Sequence, residues 1–573
     1  MKVVIVGGVA GGASAAARLR RLDETAQILL LERSGYISYA NCGLPYYVGG
    51  TIQDADELTL QTPESFWNRF RIEVWVRHEV LSIDRKAKRI TVKDLAAGKI
   101  YTEQYDKLIL APGAKPIRPA LPGIESKKIH TLRTVEDTFQ IRRAATENGC
   151  RSAIVVGGGF IGVEMAENLR DLGMEVALVE KQNQLLGQLD RDMVSFIHGH
   201  MRQNGVHLFL GQSVRGFADA DQKISVELEG AHTLQADMVI LALGVTPESS
   251  LAKEAGLALG QRGSIVVNDQ MQTSDENIYA VGDAVEITHR VTGEKTLISL
   301  AGPANKQGRI AADAICGCKS RYKGAAASSV LKVFQMTAAS TGINERTARA
   351  LGMDYEKVIL SPASHASYYP GGTVMTIKLL FAKEDRRILG AQIVGFDGVD
   401  KRIDVIATAM QANLQVTDLC DLDLAYAPPY SSAKDPVNMA GFMGENVITG
   451  KVKQFFYEDL QNLPQDGSVI LLDTRTAGEY RQGHAEGFDK HIPVDALRER
   501  LEELDPKKPV YVMCQSGLRS YIACRILMQK GYDCYNFAGG YRFYRSVRTE
   551  EQAAAQAFPC GMEKNNYTKK TEG

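Results

Sequence analysis

The chain has 573 residues, too many for one compact core, and its length predicts three or four domains. Its 67 Lys and Arg residues almost balance 68 Asp and Glu residues, which argues against a partner held by bulk charge, such as nucleic acid or a membrane surface. The apolar run at the N-terminus breaks at glycines, and no apolar segment reaches the roughly 20 residues of a membrane-spanning helix, so a cytoplasmic protein is expected.

The first element is a nucleotide-binding turn. KVVIVGGVAGGASAAARLRRL predicts a strand, a glycine turn and an Ala-rich helix, and the strand QILLLE follows it. This is the βαβ plan that binds a dinucleotide, in which Glu32, about 20 residues past the glycines, would accept a ribose hydroxyl. The turn is imperfect, because Val9 stands where the middle glycine belongs, between Gly7 and Gly12.

The same plan returns in RSAIVVGGGFIGVEMAENLRDLGMEVALVEK. Here Gly157, Gly159 and Gly162 are all present, and Glu180 closes the following strand. Two such units predict two dinucleotides, whose phosphates the backbone must approach closely. Glu180 favours NADH over NADPH because a carboxylate repels the extra phosphate, although the adjacent Lys181 weakens this preference.

The cysteines give little sign of structural pairing. Nine are scattered without the spacing of a disulfide framework or a zinc site. Cys316 and Cys318 form a close pair, but no second pair or histidine cluster accompanies them, so no metal site is expected. Only Cys42 and Cys514 lie in a context that indicates chemistry.

Three further strand-to-turn motifs follow in order: YDKLILAPGAKP, MVILALGVTP and TSDENIYAVGDA, the last of which places Asp283 at a strand end. Together with the two glycine turns, they resemble the flavoprotein disulfide reductases with two dinucleotide domains over roughly residues 1 to 450. The resemblance implies an FAD domain interrupted by an NAD domain, and then a dimerisation domain. It implies that FAD is held by Gly7, Gly8, Ala10, Gly11, Gly12, Glu32, Arg33, Asn41, Val80, Pro112, Gly113, Asp283 and Ala301, and the nicotinamide nucleotide by Gly157, Gly159, Phe160, Ile161, Gly162, Glu180 and Gly244.

Cys42 lies in the stretch SYANCGLPYY. Many family members carry a second cysteine after four intervening residues, where this chain has Tyr47, so Cys42 cannot form that internal disulfide. It pairs with a low-molecular-weight thiol, cycles through a sulfenic acid, or is an inert core cysteine. We expect Cys42 at the start of a helix with Pro45 in its first turn, where the helix dipole lowers the pKa of the thiol.

Family members with a single cysteine are coenzyme A disulfide reductases or NADH oxidases and peroxidases, and the chain resembles the first group. That resemblance implies coenzyme A contacts at Ser14, Arg18, Arg21, Ser38, Asn41, Asn305, Tyr368 and Tyr426, with both tyrosines reaching across a homodimer interface. The alternatives are a solvated helix face for the arginines and simple aromatic packing for the tyrosines. Phe70 replaces a nucleotide-binding lysine, between Arg69 and Arg71, which predicts a different or weaker coenzyme A contact.

The C-terminal region resembles a single rhodanese domain through LLDTR, GHAEG, CQSGLRS and FAGGY. Cys514 opens the loop CQSGLR, whose amides and Arg519 predict a cradle for a thiolate or a persulfide. Four residues separate Cys514 from Arg519, whereas the rival cysteine phosphatase loop has five, so the smaller pocket favours sulfur. A purely structural role is the alternative, and the presence of Cys514 argues against it.

The predicted fold class is α/β, with two Rossmann-like FAD and NAD(P) domains, an α+β dimerisation domain and a C-terminal α/β rhodanese domain. The predicted boundaries are 1–113 and 247–325 for the FAD domain, 114–246 for the NAD domain, 326–449 for the dimerisation domain, 450–462 for a linker, 463–552 for the rhodanese domain and 553–573 for a tail. The linker is too apolar for a free tether, which predicts a docked rhodanese domain with its loop facing the flavoprotein.

The predicted function is FAD-dependent, NADH-driven reduction of persulfides, polysulfides and coenzyme A persulfide or disulfide, with NADPH as the alternative donor. Electrons would pass to Cys42, Cys514 would carry sulfane sulfur, and hydrosulfide would leave. The predicted catalytic residues are Cys42, Cys514, Tyr368, Tyr426 and Arg519. The alternatives are an NADH oxidase or peroxidase that uses a Cys42 sulfenic acid, and a protein that is chiefly a sulfurtransferase.

Overall fold

The computed structural model describes residues 1–147, 149–230, 232–555 and 567–569. The chain divides into two compact units. The first contains Met1–Asn183, Gly205–Ala327 and residues 567–569, and the second contains Gln184–Asn204 and the described residues from 328 to 555. Most of the predicted tail lies outside the described residues. Among the described residues, no helix is long and apolar enough to cross a membrane.

The first unit begins with a parallel sheet and the helices that cover it. From the N-terminus its elements are β1 (Lys2–Val6), α1 (Ala10–Leu22), β2 (Gln27–Glu32), α2 (Leu44–Val48), α3 (Pro63–Phe70), β3 (Glu73–Val76), β4 (His78–Asp84), β5 (Arg89–Asp94), β6 (Ile100–Gln104), β7 (Lys107–Leu110), β8 (Ala114–Pro116) and β9 (Ile129–Thr131). The sheet order is β18-β7-β1-β2-β3, and the edge strand β18 (Ile278–Ala280), next to β7, comes from much later in the sequence. Val3, Val4 and Ile5 have no exposed surface, as expected for a parallel strand that is covered on both faces.

A second parallel sheet, in the order β12-β11-β10-β16-β9, follows. The elements of this part are α4 (Val135–Thr146), β10 (Ser152–Val156), α5 (Phe160–Asp171), β11 (Glu175–Glu180), α6 (Arg191–Gln203), β12 (Val206–Leu210), β13 (Val214–Ala220), β14 (Lys223–Leu228), β15 (His232–Ala236), β16 (Met238–Leu241), β17 (Val245–Pro247), α7 (Ser250–Glu254), β18, β19 (Ile287–Thr288), β20 (Lys295–Thr296) and α8 (Ala301–Ile315). Helix α6 belongs to the second unit, and the other elements belong to the first.

The two sheets repeat one turn geometry. A Cβ on Gly12 would lie 1.9 Å from the carbonyl oxygen of Gly7, and a Cβ on Gly162 would lie 1.9 Å from that of Gly157. Gly7 and Gly157 also have positive φ angles, of 97° and 111°. Only glycine fits these four positions, so the strand-to-helix turns predicted from the sequence are present in both sheets.

The second unit contains an antiparallel sheet in the order β21-β22-β25-β24-β23. Its elements are β21 (Ser329–Val333), β22 (Met336–Gly342), α9 (Glu345–Ala350), β23 (Tyr355–Leu360), β24 (Thr376–Ala382), β25 (Ile388–Gly395), α10 (Val399–Gln411) and α11 (Pro436–Ile448). Lys378 is fully buried in β24, where its ammonium group lies 3.0 Å from Asp190, 2.8 Å from Asp192 and 2.5 Å from Glu345. Three carboxylates thus compensate one buried cation.

The C-terminal domain of the second unit is a parallel sheet in the order β26-β30-β29-β27-β28. The remaining elements are β26 (Gln454–Phe455), β27 (Ile470–Asp473), α12 (Ala477–Arg481), β28 (Lys490–His491), β29 (Val510–Met513), α13 (Leu518–Gln529), β30 (Cys534–Phe537), α14 (Gly540–Ala555) and, in the first unit, β31 (Tyr567–Lys569), which pairs with β15.

This C-terminal domain packs against the rest of the second unit. Lys357 of β23 lies 2.5 Å from Glu458 and 4.1 Å from the centre of the Phe456 ring, so it engages the predicted linker directly. Glu550 of α14 is buried against His198 and Arg202 of α6. The docking that the apolar linker predicted is therefore present within this unit, whereas the predicted orientation toward the flavoprotein half stays a prediction.

Candidate active site

The acidic residue at the end of the second strand has the same position in both nucleotide folds. The carboxylate of Glu32 accepts hydrogen bonds from the backbone N–H groups of Gly8 and Ser34, each at 2.8 Å. The carboxylate of Glu180 accepts from Gly158 and Gln182, each at 2.7 Å. Each acid thus lies directly at its glycine turn, where a dinucleotide ribose is bound in this type of fold.

The residues predicted to hold FAD gather at the carboxyl ends of β1, β7 and β18, which are neighbours in the first sheet. The turn of Gly7 to Gly12 follows β1, Pro112 and Gly113 follow β7, and Asp283 follows β18. A guanidinium nitrogen of Arg133, which the sequence analysis missed, lies 3.1 Å from the Asp283 carboxylate. A glycine turn, a helix N-terminus and fixed charges at one sheet edge fit a flavin dinucleotide.

The other residues predicted to contact a nucleotide differ in how far a ligand can reach them. Val80 of β4 is buried in the hydrophobic core of the first unit, so its side chain is largely closed to a ligand. Gly159 is open, since a Cβ there would meet no atom within 4 Å, which leaves room for a phosphate at the N-terminus of α5. Phe160 and Ile161 begin that helix, and Gly244 adopts a φ of 92° after β16.

Cys42 lies where the sequence predicted, but its electrostatic surroundings differ from the prediction. The thiol is exposed in the single turn Asn41–Gly43, and α2 follows with Pro45 in its first turn. Although the residue is exposed, the surrounding protein partly desolvates its sulfur. This desolvation, together with the carboxylates of Glu164 and Asp283, raises the pKa of the Cys42 thiol, while Arg133 opposes this change. The expected lowering by the helix dipole is wrong, because α2 has only five residues and two carboxylates lie nearby.

Glu164 and Tyr46 were also missed. Tyr46, one turn after Cys42, is hydrogen-bonded to Glu164 of α5. Burial and the nearby Glu167 raise the pKa of Glu164 to about 7, and burial raises that of Tyr46 to about 12. The signal in the sequence was a carboxylate in the helix that follows the second glycine turn, within FIGVE.

A cavity of about 370 Å³ between α1, α3 and α8 brings together five of the residues predicted to bind coenzyme A, namely Ser14, Arg18, Arg21, Ser38 and Asn305. The Ser14 hydroxyl donates to Asn305 at 2.7 Å, which fixes the two helices at this point. Asn41 lies beside Cys42 and is not part of the cavity lining.

The cavity is cationic and aromatic. Arg18 is held by Asp313 at 2.7 Å, whereas Arg21, Arg69 and Arg309 line the cavity without an ion pair to any residue that the structure describes. Phe70 lines the same cavity. Beside Phe70, the cavity thus contains two lining arginines, Arg69 and Arg309, that the sequence analysis did not assign to coenzyme A.

The two predicted tyrosines of the second unit form a pair. The hydroxyl oxygens of Tyr368 and Tyr426 lie 2.6 Å apart, and the residues are 73% and 45% exposed. The hydrogen bond to Tyr368 raises the pKa of Tyr426. Tyr430, four residues after Tyr426, is a further exposed aromatic side chain of this segment, at 72%.

Cys514 lies at the base of a tight loop between β29 and α13. Its buried sulfur accepts the Gly517 N–H at 3.1 Å and the Ser520 hydroxyl at 3.2 Å, and Gly517 turns the loop with a φ of 98°. The predicted cradle is present. Arg519, however, is bound by both carboxylate oxygens of Glu479, each at 2.7 Å, a partner that the sequence analysis missed.

Comparison with known proteins agrees with this geometry. Residues 1–308 match the pyridine nucleotide-disulphide oxidoreductase family, residues 328–436 its dimerisation domain and residues 456–546 the rhodanese-like domain. The chain belongs to the pyridine nucleotide-disulphide oxidoreductase family. The predicted fold class and the oxidoreductase class are confirmed, and as a family member the chain uses FAD and NAD(P)H.

Two curated relatives are named coenzyme A disulfide reductase. The protein of Staphylococcus haemolyticus strain JCSC1435 is 34% identical over 78% of this chain and 100% of its own length, and that of Staphylococcus aureus strain JH9 is 34% identical over 77% and 99%.

Solved structures extend the similarity to the rhodanese-like domain. Reduced Bacillus anthracis CoADR-RHD is 50% identical with a TM-score of 0.93, covering 96% of this chain and 98% of its own. An NAD-dependent persulfide reductase from A. fulgidus is 38% identical with a TM-score of 0.90, covering 95% and 100%. A water-forming NADH oxidase from Lactobacillus brevis is 27% identical with a TM-score of 0.76 and covers 79% of this chain.

Proposed function

We propose that the enzyme reduces coenzyme A persulfide, other persulfides and polysulfides, and coenzyme A disulfide, with Cys42 as the redox sulfur and Cys514 as a carrier of sulfane sulfur. The observation that carries this proposal is the cationic cavity, whose lining includes Ser38, four residues before the exposed Cys42 thiol. The relatives named for coenzyme A disulfide and for persulfide reduction support the same substrates.

The cavity suits the nucleotide end of coenzyme A. Arg21, Arg69 and Arg309 offer donors for phosphates, and Phe66 and Phe70 offer apolar surface for a base. The thiol end would extend toward Cys42. Arg18 keeps its side chain fixed through Asp313, so it positions the cavity wall as well as contributing charge.

When bound, FAD accepts a hydride from NAD(P)H and supplies two electrons to the sulfur of Cys42. The Cys42 thiolate attacks the sulfur bonded to the coenzyme A carbon, the S–S bond breaks and hydrosulfide leaves. The mixed disulfide then takes two electrons and one proton, which yields the Cys42 thiolate and the coenzyme A thiol. Coenzyme A disulfide reacts in the same way, with a second coenzyme A thiolate as leaving group.

Assembly and location belong to the same proposal. The dimerisation domain supports a homodimer in which Tyr368 and Tyr426 of one copy hydrogen-bond the leaving thiolate at Cys42 of the other. The domain boundaries given above, the NADH preference inferred from Glu180 and a cytoplasmic location are retained as part of this proposal.

The test is anaerobic NADH oxidation with released sulfide quantified, comparing coenzyme A persulfide, coenzyme A disulfide and hydrogen peroxide. We expect sulfide from the persulfide, at least a ~10³-fold loss in Cys42→Ser because the nucleophile is removed, and a smaller loss in Cys514→Ser. Cys150→Ser, which removes a thiol elsewhere in the first unit, is the control and should leave the rate unchanged. Fast turnover with peroxide alone would contradict the proposal.

A further inference from the structure

The charges around the Cys514 loop are paired. Arg519 forms its two-point ion pair with Glu479, and the backbone N–H and the hydroxyl of Thr476 donate to the same carboxylate, each at 2.9 Å. Arg475 is 1% exposed and is held by the fully buried Asp473. The positive charge of Arg519, which the sequence analysis assigned to the cradle, is therefore balanced by the Glu479 carboxylate.

Glu479 is fixed in this position by local structure. It is the third residue of α12, whose first residue follows the N-cap Thr476, and the two form a reciprocal capping box. The Arg519 guanidinium holds the pKa of Glu479 at about 2, so the carboxylate is ionised throughout the working pH range. Because Arg519 and Thr476 both bind the Glu479 carboxylate, its position is fixed.

A third arginine next to the loop is directed elsewhere. The backbone N–H of Arg542 donates to Gln515, but its guanidinium donates to the carbonyl of Val374 and lies over the Phe196 ring. Two apolar side chains that follow the loop are exposed, Leu518 by 56% and Ile522 by 39%. They lie one turn apart on α13. Next to the Cys514 loop, Arg519 and Arg475 are thus paired with carboxylates, and the first turns of α13 carry exposed apolar side chains.

We propose that Cys514 takes its sulfur from an organic persulfide with an uncharged arm next to the sulfur, and that Glu479 excludes small dianionic donors such as thiosulfate. This inference rests on the proposed carrier role of Cys514. In the favoured step the Cys514 thiolate attacks the outer sulfur of R–S–SH, a new S–S bond forms on Cys514, and the R–S⁻ thiolate leaves. With thiosulfate the leaving group would be sulfite, and the incoming dianion would find Arg519 already paired with Glu479.

The arm of coenzyme A persulfide meets this requirement, because pantetheine is uncharged and the phosphates lie at its far end. A dianion gains little from Arg519, because Glu479 already balances the charge of its guanidinium. Specificity of this kind comes from denying the unwanted donor an attraction rather than from adding one for the preferred donor.

The experiment measures the loading of Cys514 by intact-protein mass, as the gain of one sulfur atom, in the full chain carrying Cys42→Ser and without NAD(P)H. Glu479→Gln keeps the capping side chain but removes its charge, and we expect loading by thiosulfate to rise about tenfold while loading by coenzyme A persulfide changes by less than about twofold. Glu486→Gln removes the charge of a more exposed ion pair in the same domain and should change neither rate.

Glu479→Asp separates charge from geometry, because it keeps the charge and shortens the side chain; it should not accelerate thiosulfate loading. An equal gain in both Glu479 variants, or an equal loss with both donors in Glu479→Gln, would overturn the proposal. A wild-type measurement needs no variant: thiosulfate loading should be nearly independent of salt, and a steep fall with salt would reveal an uncompensated cation and refute the inference. Loading of Cys514 in these experiments, together with no NADH-dependent sulfide release by the chain with intact Cys42, would instead refute the proposed reductase function alone.

Discussion

At the scale of single residues, Cys42 shows how distant parts of the chain set the chemistry of one thiol. Its own segment offers a helix start, which favours the thiolate, but desolvation of the sulfur and then the carboxylates of Glu164 and Asp283 raise the pKa of the thiol, against the opposing effect of Arg133. A thiol that is largely protonated needs a group nearby that exchanges protons near neutral pH. Glu164, linked to Cys42 through the neighbouring Tyr46, has a pKa of about 7 and meets this description.

The raised pKa of Glu164 also predicts how the stability of the protein depends on pH. Its pKa rises from 4.5 to about 7 in the folded protein, so within this window the folded state holds a proton that the unfolded chain has released. Stability should therefore fall as pH rises from 4.5 to about 7, by about 2 to 3 kcal/mol from this group. Glu164→Gln should remove that slope in urea unfolding of the FAD-loaded enzyme across this range.

Asp171→Asn, at the exposed end of the same helix, is the matched control and should leave the slope as it is in the unmodified protein. If Glu164→Gln and the unmodified protein lose stability in parallel between these pH values, Glu164 does not carry the proton that we assign to it.

Residues of this kind mark the limit of prediction from sequence. Gly12 and Gly162 were predictable, because a turn that allows no side chain leaves a motif in the sequence. Cys42 and Cys514 were predictable for the same reason, since each lies in a short characteristic segment. Glu164 and Glu479 were not, because their importance comes from partners that lie far away along the chain, and no spacing rule connects them.

At the scale of elements, helix α14 shows how the rhodanese-like domain is attached to its neighbour. The buried Glu550 joins this helix to His198 and Arg202 of α6, and Ser546 lies 2.8 Å from Ser195 on the same pair of helices. The apolar linker predicted a docked domain in general terms. It could not predict α6 as the partner, because α6 comes from another part of the sequence and shows only an amphipathic pattern there.

Removing the Glu550 charge should loosen this contact. Burial opposes ionisation, but His198 and Arg202 hold the pKa of Glu550 at about 2, so the carboxylate stabilises docking above its ordinary pKa of 4.5 and loses this effect as pH falls toward 2. Glu550→Gln leaves the half-buried Arg202 without its counterion and the buried His198 without its carboxylate partner, and should cost about 3 kcal/mol in local stability at neutral pH. Hydrogen exchange of α14 and α6, followed by mass spectrometry, measures this change.

The comparison variant is Glu499→Gln, an exposed carboxylate of the same domain, which should leave exchange in α14 and α6 unchanged. Unchanged protection in Glu550→Gln would mean that apolar contacts alone hold the helices together. Faster exchange across the whole second unit, rather than in these two helices, would mean that Glu550 stabilises the unit and not the docking contact.

At the scale of the whole molecule, the chain combines two sulfur sites with an exposed aromatic surface. Cys42 belongs to the first unit, while Cys514 and the pair Tyr368–Tyr426 belong to the second. Tyr368 is 73% exposed although it is hydrogen-bonded, which is an unusual state for an ordered tyrosine and is explained if a second copy covers it. The resemblance to the family predicted these tyrosines, but their direct hydrogen bond was visible only in the structure.

Mixed dimers test whether these tyrosines act on the other copy. One subunit carries Cys42→Ser, and the other carries Tyr368→Phe and Tyr426→Phe, so that each homodimer is impaired, the second by about 10²-fold through loss of its hydroxyl donors. If the tyrosines reach across the dimer, the mixed species keeps one complete site of two and should reduce coenzyme A persulfide at about half the wild-type rate. Differently tagged subunits allow the mixed dimer to be purified before NADH oxidation is measured. If the tyrosines serve Cys42 of their own chain, the mixed dimer contains no complete site, and its rate would stay at the level of the impaired homodimers.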